Sequence, residues 1–482
     1  MNHRMIRYLL SRLLLIEAAL LSLPVFVAIY FGEPWSNVRS FILTMAILLA
    51  VALPFALRQP ENNEIFTLEG LVIVAGAWFI LSFFGSLPFV FSQTIPSMID
   101  AYFETASGFT TTGASILTNI EALPLSMLFW RSFTHLIGGM GVLIFALSFL
   151  PQVGADAVFL MKAESPGPSF GKLKAKVSQS ARILYLIYLS MTAILVVLLV
   201  AGGMPLFDSF IHAFGAAGTG GFSMKNASIG HYQSPYIEMV LAVSMILFGV
   251  NFFIYHLIIM KQAKTALKNE ELRWYLGIIA IAVFLIGFIV HQLYQSFFQM
   301  LRDVFFTVSS IVTTTGYATV DFASWPLPSH IVLLALMFIG AMAGSTGGGM
   351  KVSRVVIYIK SFQQQVRRTI NPNQMLPVNI DRKPVSDALL RNTGRYLICY
   401  VLFFSVSMLI ISFDSNSFTV AFSSVAATIN NIGPGLDVVG PTGNFAPFSD
   451  LSKITLSITM IAGRLEILPV LVLFSPRAWR RV

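Results

Sequence analysis

Apolar residues in this chain come in long unbroken runs, not in the alternation of a half-buried strand. Runs of roughly 20 residues, the length needed to cross about 30 Å of hydrocarbon, cover Leu9–Tyr30, Ile42–Leu57, Leu71–Phe91, Ile183–Ala201 and Tyr275–Val290. Each predicts a membrane-spanning helix. The first is too long for the apolar core of a cleavable signal and lacks a small-residue cleavage site, so it is read as a retained span. Between the long runs stand apolar segments of roughly ten residues, whose helical rise of about 15 Å cannot cross a bilayer. These are predicted to enter and return.

Each short segment ends in a polar phrase built on glycine: "TTTGAS" from Thr110, "AAGTGGFS" from Ala216, "TTTGYAT" from Thr313 and "NNIGPG" from Asn430. Aligned on Gly113, Gly221, Gly316 and Gly433, they agree further upstream. Thirteen residues earlier stand Asp100, Asp208 and Asp303, with Val420 the exception; eleven earlier stand Tyr102, Phe210, Phe305 and Phe422; six earlier stand Ser107, Gly215, Ser310 and Ala427. The glycines lie 108, 95 and 117 residues apart, a fourfold repeat too long for a solenoid. Two crossings per unit leave all four units parallel, around an axis along the membrane normal. The expected fold is an all-α polytopic membrane protein. Two N-terminal helices (1–64) precede four span–pore-helix–span units at 65–155, 180–262, 272–368 and 384–482, giving about ten spans and four re-entrant helices around one pore.

Composition agrees: the 482 residues are 56% hydrophobic and only 11% charged, with a mean hydropathy of +0.77, where a soluble domain carries about 25% charge. The net charge of +9 could suggest nucleic acid, but its placement argues against that partner. Lys and Arg gather in 152–182 (Lys162, Lys172, Lys174, Lys176, Arg182), in 261–273, between Lys351 and Arg395, and at Arg477, Arg480 and Arg481. The other loops are nearly bare, with Lys225, Arg302 and Lys453 as exceptions. By the positive-inside rule the basic loops and both termini face the cytoplasm and the glycine phrases face outward. The lone cysteine, Cys399, excludes an internal disulfide and is read as packing in an apolar helix.

Irregular backbone at membrane depth is tolerated only where protein buries it or it lines a water-filled cavity. Four such phrases around one axis offer rings of carbonyl oxygens able to replace the hydration shell of a monovalent cation. Glycine reaches positive φ and has no Cβ to crowd the pore, and threonine adds a carbonyl and a hydroxyl without charge. Asp100, Asp208 and Asp303 near the helix starts complement the positive end of the helix dipole, while the negative end points at the ion.

These phrases, with "NNIGPGL" and the later "AGSTGGGMK", make the chain resemble the Trk/Ktr/HKT superfamily of potassium transporters, over essentially its whole length. The two extra N-terminal spans are similar to the TrkH/TrkG branch. The resemblance implies potassium held by the carbonyls of Thr111 and Thr112, Thr219 and Gly220, Thr314 and Thr315, and Asn431 and Ile432, beside Gly113, Gly221, Gly316 and Gly433. Rubidium is expected to be accepted. Glycine at all four key positions goes with potassium preference, whereas the asparagines and Pro434 of the fourth phrase imply looser discrimination than a dedicated channel.

The stretch Gly340–Lys351, "GAMAGSTGGGMK", should break the last helix of the third unit, since glycine costs a helix roughly 1 kcal/mol each. The resemblance implies an intramembrane loop under the filter, with Gly344, Gly347, Gly348, Gly349 and Lys351 in the gate. Its spacing fails the phosphate-loop pattern and it follows no strand. Arg464, inside a last span read as Leu451–Leu473, is costly there; the alternatives are a pair with Glu466, snorkelling, or, as the resemblance implies, donation to loop carbonyls. Glu104, Arg131, His135 and Asn251 are weaker candidates, His135 reading as a packing histidine. The basic segment Ser353–Arg391 reads as a cytoplasmic connector, and the resemblance implies that a TrkA-like nucleotide-binding subunit docks there, so that nucleotide acts only through that partner. It also implies a homodimer in a bacterial inner membrane.

The leading expectation is potassium uptake through a gated, channel-like pore. Its alternatives are a sodium- or proton-coupled transporter, which needs a second ionisable site in the spans, and a general monovalent-cation pore. No metalloprotease helix and no nucleophile with a base beside it favours an enzyme.

Overall fold

The computed structural model describes residues 1–62, 64–141, 177–372, 377–415 and 417–479. Lys162, Lys172, Lys174, Lys176, Arg480 and Arg481, in the expected basic clusters, lie outside these residues, as do 142–155 at the end of the expected first unit. The described chain is helical except for a two-residue hairpin, Asn379–Ile380 against Lys383–Pro384. Six helices are single, long and apolar enough to span: His3–Tyr30, Trp35–Ala56, Thr67–Phe91, Arg182–Ala201, Glu270–Leu293 and Asp387–Ser412. The first two are the N-terminal pair; the other four open the repeated units as outer helices. Pro54 and Pro88 sit near the C-terminal ends of two of them, where the turns they weaken are last in the helix.

Each outer helix is followed by a short one: Met98–Phe109, Leu206–Gly218, Phe297–Val312 and Phe418–Ile429. Then comes an inner helix, and the four inner helices all break. They end at Gly139, at Phe248, at Ile339 and at Arg464. The second resumes at Phe252 after a 90° bend at Gly249–Asn251. The third resumes at Val352 after the loop Gly340–Lys351, and the fourth at Leu468 after Leu465–Ile467, where Glu466 and Ile467 take φ of 60° and 69°. The sequence reading foresaw only the third break. The continuous last span expected over Leu451–Leu473 is therefore corrected: its helix stops at Arg464, because two successive left-handed residues cannot continue a right-handed one.

The three basic residues that violate the charge rule are each paired. Lys453 meets Asp100 at 2.6 Å, Arg302 meets Glu238 at 2.8 Å, and Lys225 approaches Glu121 at 4.0 Å. Their charges are local fittings between elements and not a topology signal.

Candidate functional site

The four short helices end the same way. The last turn closes with one bond from Thr112 N–H to Ser107 O (2.9 Å), and its counterparts run Gly220 to Gly215 (2.8 Å), Thr315 to Ser310 (2.8 Å) and Ile432 to Ala427 (2.9 Å). A second bond joins Thr111 to Gly108, Thr219 to Ala216, Thr314 to Ile311 and Asn431 to Thr428, at 3.1–3.2 Å. This double closure is the Schellman motif, which demands a left-handed residue after the helix. Thr111, Thr219, Thr314 and Asn431 supply it, with φ of 56°, 56°, 58° and 54°. Asparagine tolerates that region, whereas a β-branched threonine is there only under strain of about 1–3 kcal/mol. The position six before each glycine is thus a shared carbonyl acceptor, which explains why its side chain is free to vary among Ser, Gly and Ala.

The filter glycines follow with φ of 80°, 76°, 85° and 95° at Gly113, Gly221, Gly316 and Gly433. Their neighbours close a ring. A Cβ on Gly113 would overlap the carbonyl oxygen of Gly220, one on Gly221 that of Thr315, one on Gly316 that of Ile432, and one on Gly433 would lie 2.7 Å from that of Thr112. Each phrase packs on the next, and the fourth returns to the first. Glycine is needed here because the next strand, and not the lumen, occupies the Cβ position. Among the described residues, no hydrogen bond ends on the carbonyl oxygens of Thr111, Thr112, Gly113, Thr219, Gly220, Gly221, Thr314, Thr315, Gly316, Asn431, Ile432 or Gly433. The threonine hydroxyls, by contrast, are engaged in the protein: Thr110 with Thr112 and Thr313 with Thr315, both at 2.7 Å, Thr111 to Thr110 O, and Thr219 to Gly218 O. This narrows the expected carbonyl-plus-hydroxyl donor set to carbonyls.

A buried polar frame holds the ring from behind. Glu104 accepts from Ser115 Oγ, Ile116 N–H and Arg131 Nε (2.5 Å), and Arg131 also donates to Ser223 O while its guanidinium lies 3.4 Å over Phe222. His135 donates from Nδ1 to Gly108 O (2.7 Å) and accepts Phe222 N–H at Nε2, so its tautomer is fixed and it ties the first short helix to the second phrase. It is more than the packing histidine of the sequence reading. In the fourth unit, Asn431 donates to Thr112 Oγ1 and to Met460 O, each at 2.9 Å. Asp100 and Asp208 lie in the first turns of their helices, but Asp303 does not: its helix begins at Phe297, and Asp303 sits beside Arg302 at 3.4 Å. Its expected dipole role is withdrawn.

The glycine loop lies against these helix ends. Gly349 N–H donates to Asn430 O (3.1 Å) and Gly348 N–H to Thr314 Oγ1 (2.6 Å), while Lys351 Nζ donates to Gly347 O. Gly340, Gly344 and Gly349 take positive φ, as does Lys351 at 75°. Gly347 and Gly348 do not; a Cβ on either would press on Ala341 and Thr313 or on Asn430, so they permit close approach and not an unusual turn. Arg464 donates to Thr346 O in the loop and to Gly138 O and Gly139 O at the end of the first inner helix, each at 2.6 Å. Glu466 pairs instead with Arg354 at 2.5 Å. Asn251 caps the resumed second inner helix through Phe253 N–H (2.9 Å). Three participants escaped the sequence reading: Asn430, Glu271 and Glu17. Asn430 had a signal, its place in "NNIGPG"; the others sit in apolar or charged runs that gave none.

The profile of the TrkH family, described as cation transport protein, matches residues 36–481. The Trk system potassium uptake protein TrkH of Salmonella typhimurium is 35% identical, with all of both chains covered. TrkG of Escherichia coli K12, of the same system, is 32% identical over 95% of this chain and 94% of that one. The chain belongs to the TrkH family. The crystal structure of the potassium transporter TrkH from Vibrio parahaemolyticus superposes with a TM-score of 0.90 at 30% identity, covering both chains fully. The family members named here are transporters, and this member is a multi-pass membrane protein built on their fold.

Proposed function

We propose that this chain takes up potassium through a pore whose filter is the ring of carbonyls before and at Gly113, Gly221, Gly316 and Gly433, and whose gate is the loop Gly340–Lys351. What supports the reading is that ring of buried carbonyls with no protein donor, set by four identical helix ends. Bare carbonyls in a desolvated ring suit a weakly hydrated monovalent cation, so rubidium passes as well. Arg464, reaching from the fourth unit to Thr346 and to the first unit, holds the loop shut and sets a positive charge under the filter. The relatives' names speak of a Trk system. On that ground we assign regulation to a TrkA-like nucleotide-binding subunit on the basic face, the assembly to a homodimer, and the setting to a bacterial inner membrane with both termini inside. The test is growth of a potassium-uptake-deficient bacterium on low potassium with this chain supplied. Rescue by the wild type and not by Gly316→Ala supports the reading; equal rescue by both refutes it.

Proton-coupled uptake is a second reading, and one observation favours it. Glu17, in the first spanning helix, is buried, and neither carboxyl oxygen has a hydrogen-bond partner. It borders a cavity of about 10 Å³ lined by Leu81, Phe109 and Trp130, room for one water. An intramembrane carboxyl is a functional candidate by default. Flux in liposomes should then depend on a proton gradient in the wild type and lose that dependence in Glu17→Gln.

A further inference from the structure

The loop's tip is tied to the filter, but its base is held from elsewhere. Glu271, on the third outer helix, is buried, and its Oε1 accepts both Ala343 N–H (2.8 Å) and Ser353 N–H (3.1 Å). Ala343 is on the limb entering the loop, and Ser353 is in the first turn of the helix that leaves it. One carboxylate oxygen thus pins together two limbs ten residues apart. Ser353 N–H is one of the orphan donors of a helix start, and a carboxylate is the favoured acceptor there.

The residue beside Glu271 carries a second set of bonds. Glu270 N–H donates to Asp381 Oδ1 (2.7 Å), and Asp381 N–H donates back to Glu270 Oε2 (3.1 Å). Asn269 Nδ2 reaches Asp381 Oδ2 at 3.2 Å. Asp381 and Arg382, with φ of 50° and 62°, form the tight turn of the exposed hairpin Asn379–Pro384. Lys360, on the helix after the loop, bridges Glu270 and Asn379 O. The hairpin therefore grips the start of the outer helix one residue from the carboxylate that grips the loop.

We infer that Glu271 is a positioning residue that transmits movement of the Asn379–Pro384 hairpin to the base of the glycine loop. Drawing the hairpin off the helix start frees Glu270, shifts Glu271, and lets the two limbs of the loop part. The inference rests on the loop being the gate.

The experiment is rubidium-tracer flux through the purified full-length chain in liposomes, with no partner protein. Glu271→Ala removes both acceptances and should raise flux roughly tenfold; Glu271→Gln, which keeps an acceptor oxygen, should fall between. Asp381→Ala should raise flux less in the wild-type background and add nothing on top of Glu271→Ala. A merely structural role would lower thermal stability in both variants and leave their effects additive. Unchanged flux in Glu271→Ala, or additive effects, overturns the inference. Thr314→Val separates the two readings: if it raises flux while Glu271→Ala does not, the gate stands and the coupling falls. If neither raises flux, the gate reading falls as well. Should Glu271→Ala fail to fold, Glu271→Gln paired with Asp381→Ala decides the same question.

Discussion

The filter ring and the glycine loop are both made of glycine and threonine in a membrane interior, yet they are secured in different ways. The ring is built four times over from main-chain geometry: four double-bonded helix ends, four left-handed residues, four glycines, each phrase seated on its neighbour. The loop exists once, and side chains hold it. Arg464, Thr314 and Glu271 each contribute bonds that a single substitution removes, and Asn430 adds one carbonyl. A structure meant to discriminate gains from redundancy, because losing one contact leaves three equivalents. One meant to move gains from few anchors, each strong enough to matter and weak enough to release.

That contrast breaks most sharply at the filter glycines. Gly221→Ala puts a Cβ into the Thr315 carbonyl and forces an L-residue to a φ of 76°, so selective flux should vanish, checked by rubidium uptake in liposomes with stability measured alongside. Next in size, Arg464→Ala removes three donations and should raise partner-free flux by one to two orders of magnitude, each bond to a charged group contributing roughly 1.5–3 kcal/mol to closure. The reversal potential should stay put. Thr314→Val deletes the acceptor for Gly348 N–H and should raise flux by roughly tenfold or less, again at constant selectivity. A shift in selectivity there would mean that loop and ring are one unit, and the contrast would fail. Asn431→Leu should have the smallest effect: it cuts the tie to Thr112 Oγ1 and Met460 O, loosening potassium-over-sodium preference about two- to threefold without opening the loop.

The ring was legible in the sequence because its requirements fall on single residues. Only glycine meets both the positive φ and the crowding, so its spacing survives in four otherwise different units. The breaks in the inner helices were mostly hidden. An apolar run has the same composition whether the helix through it is continuous or bent by 90°, as at Gly249–Asn251; only the triple glycine of the third unit was dense enough to be read. Arg464 could be singled out by its charge, but its reach to Gly138, 326 positions away, belongs to the fold. Asp303 misled for the opposite reason: its alignment with Asp100 and Asp208 hid an extra turn that begins its helix at Phe297.

The central claim is that the carbonyl ring selects and the loop merely admits. The direct measurement is the reversal potential of the open variant Arg464→Ala in liposomes, potassium on one side and sodium on the other, with and without Gly113→Ser. The account predicts a value near the potassium equilibrium potential for Arg464→Ala and a clear shift toward zero once Gly113→Ser is added. A value near zero in Arg464→Ala alone, or no shift on adding Gly113→Ser, would contradict it.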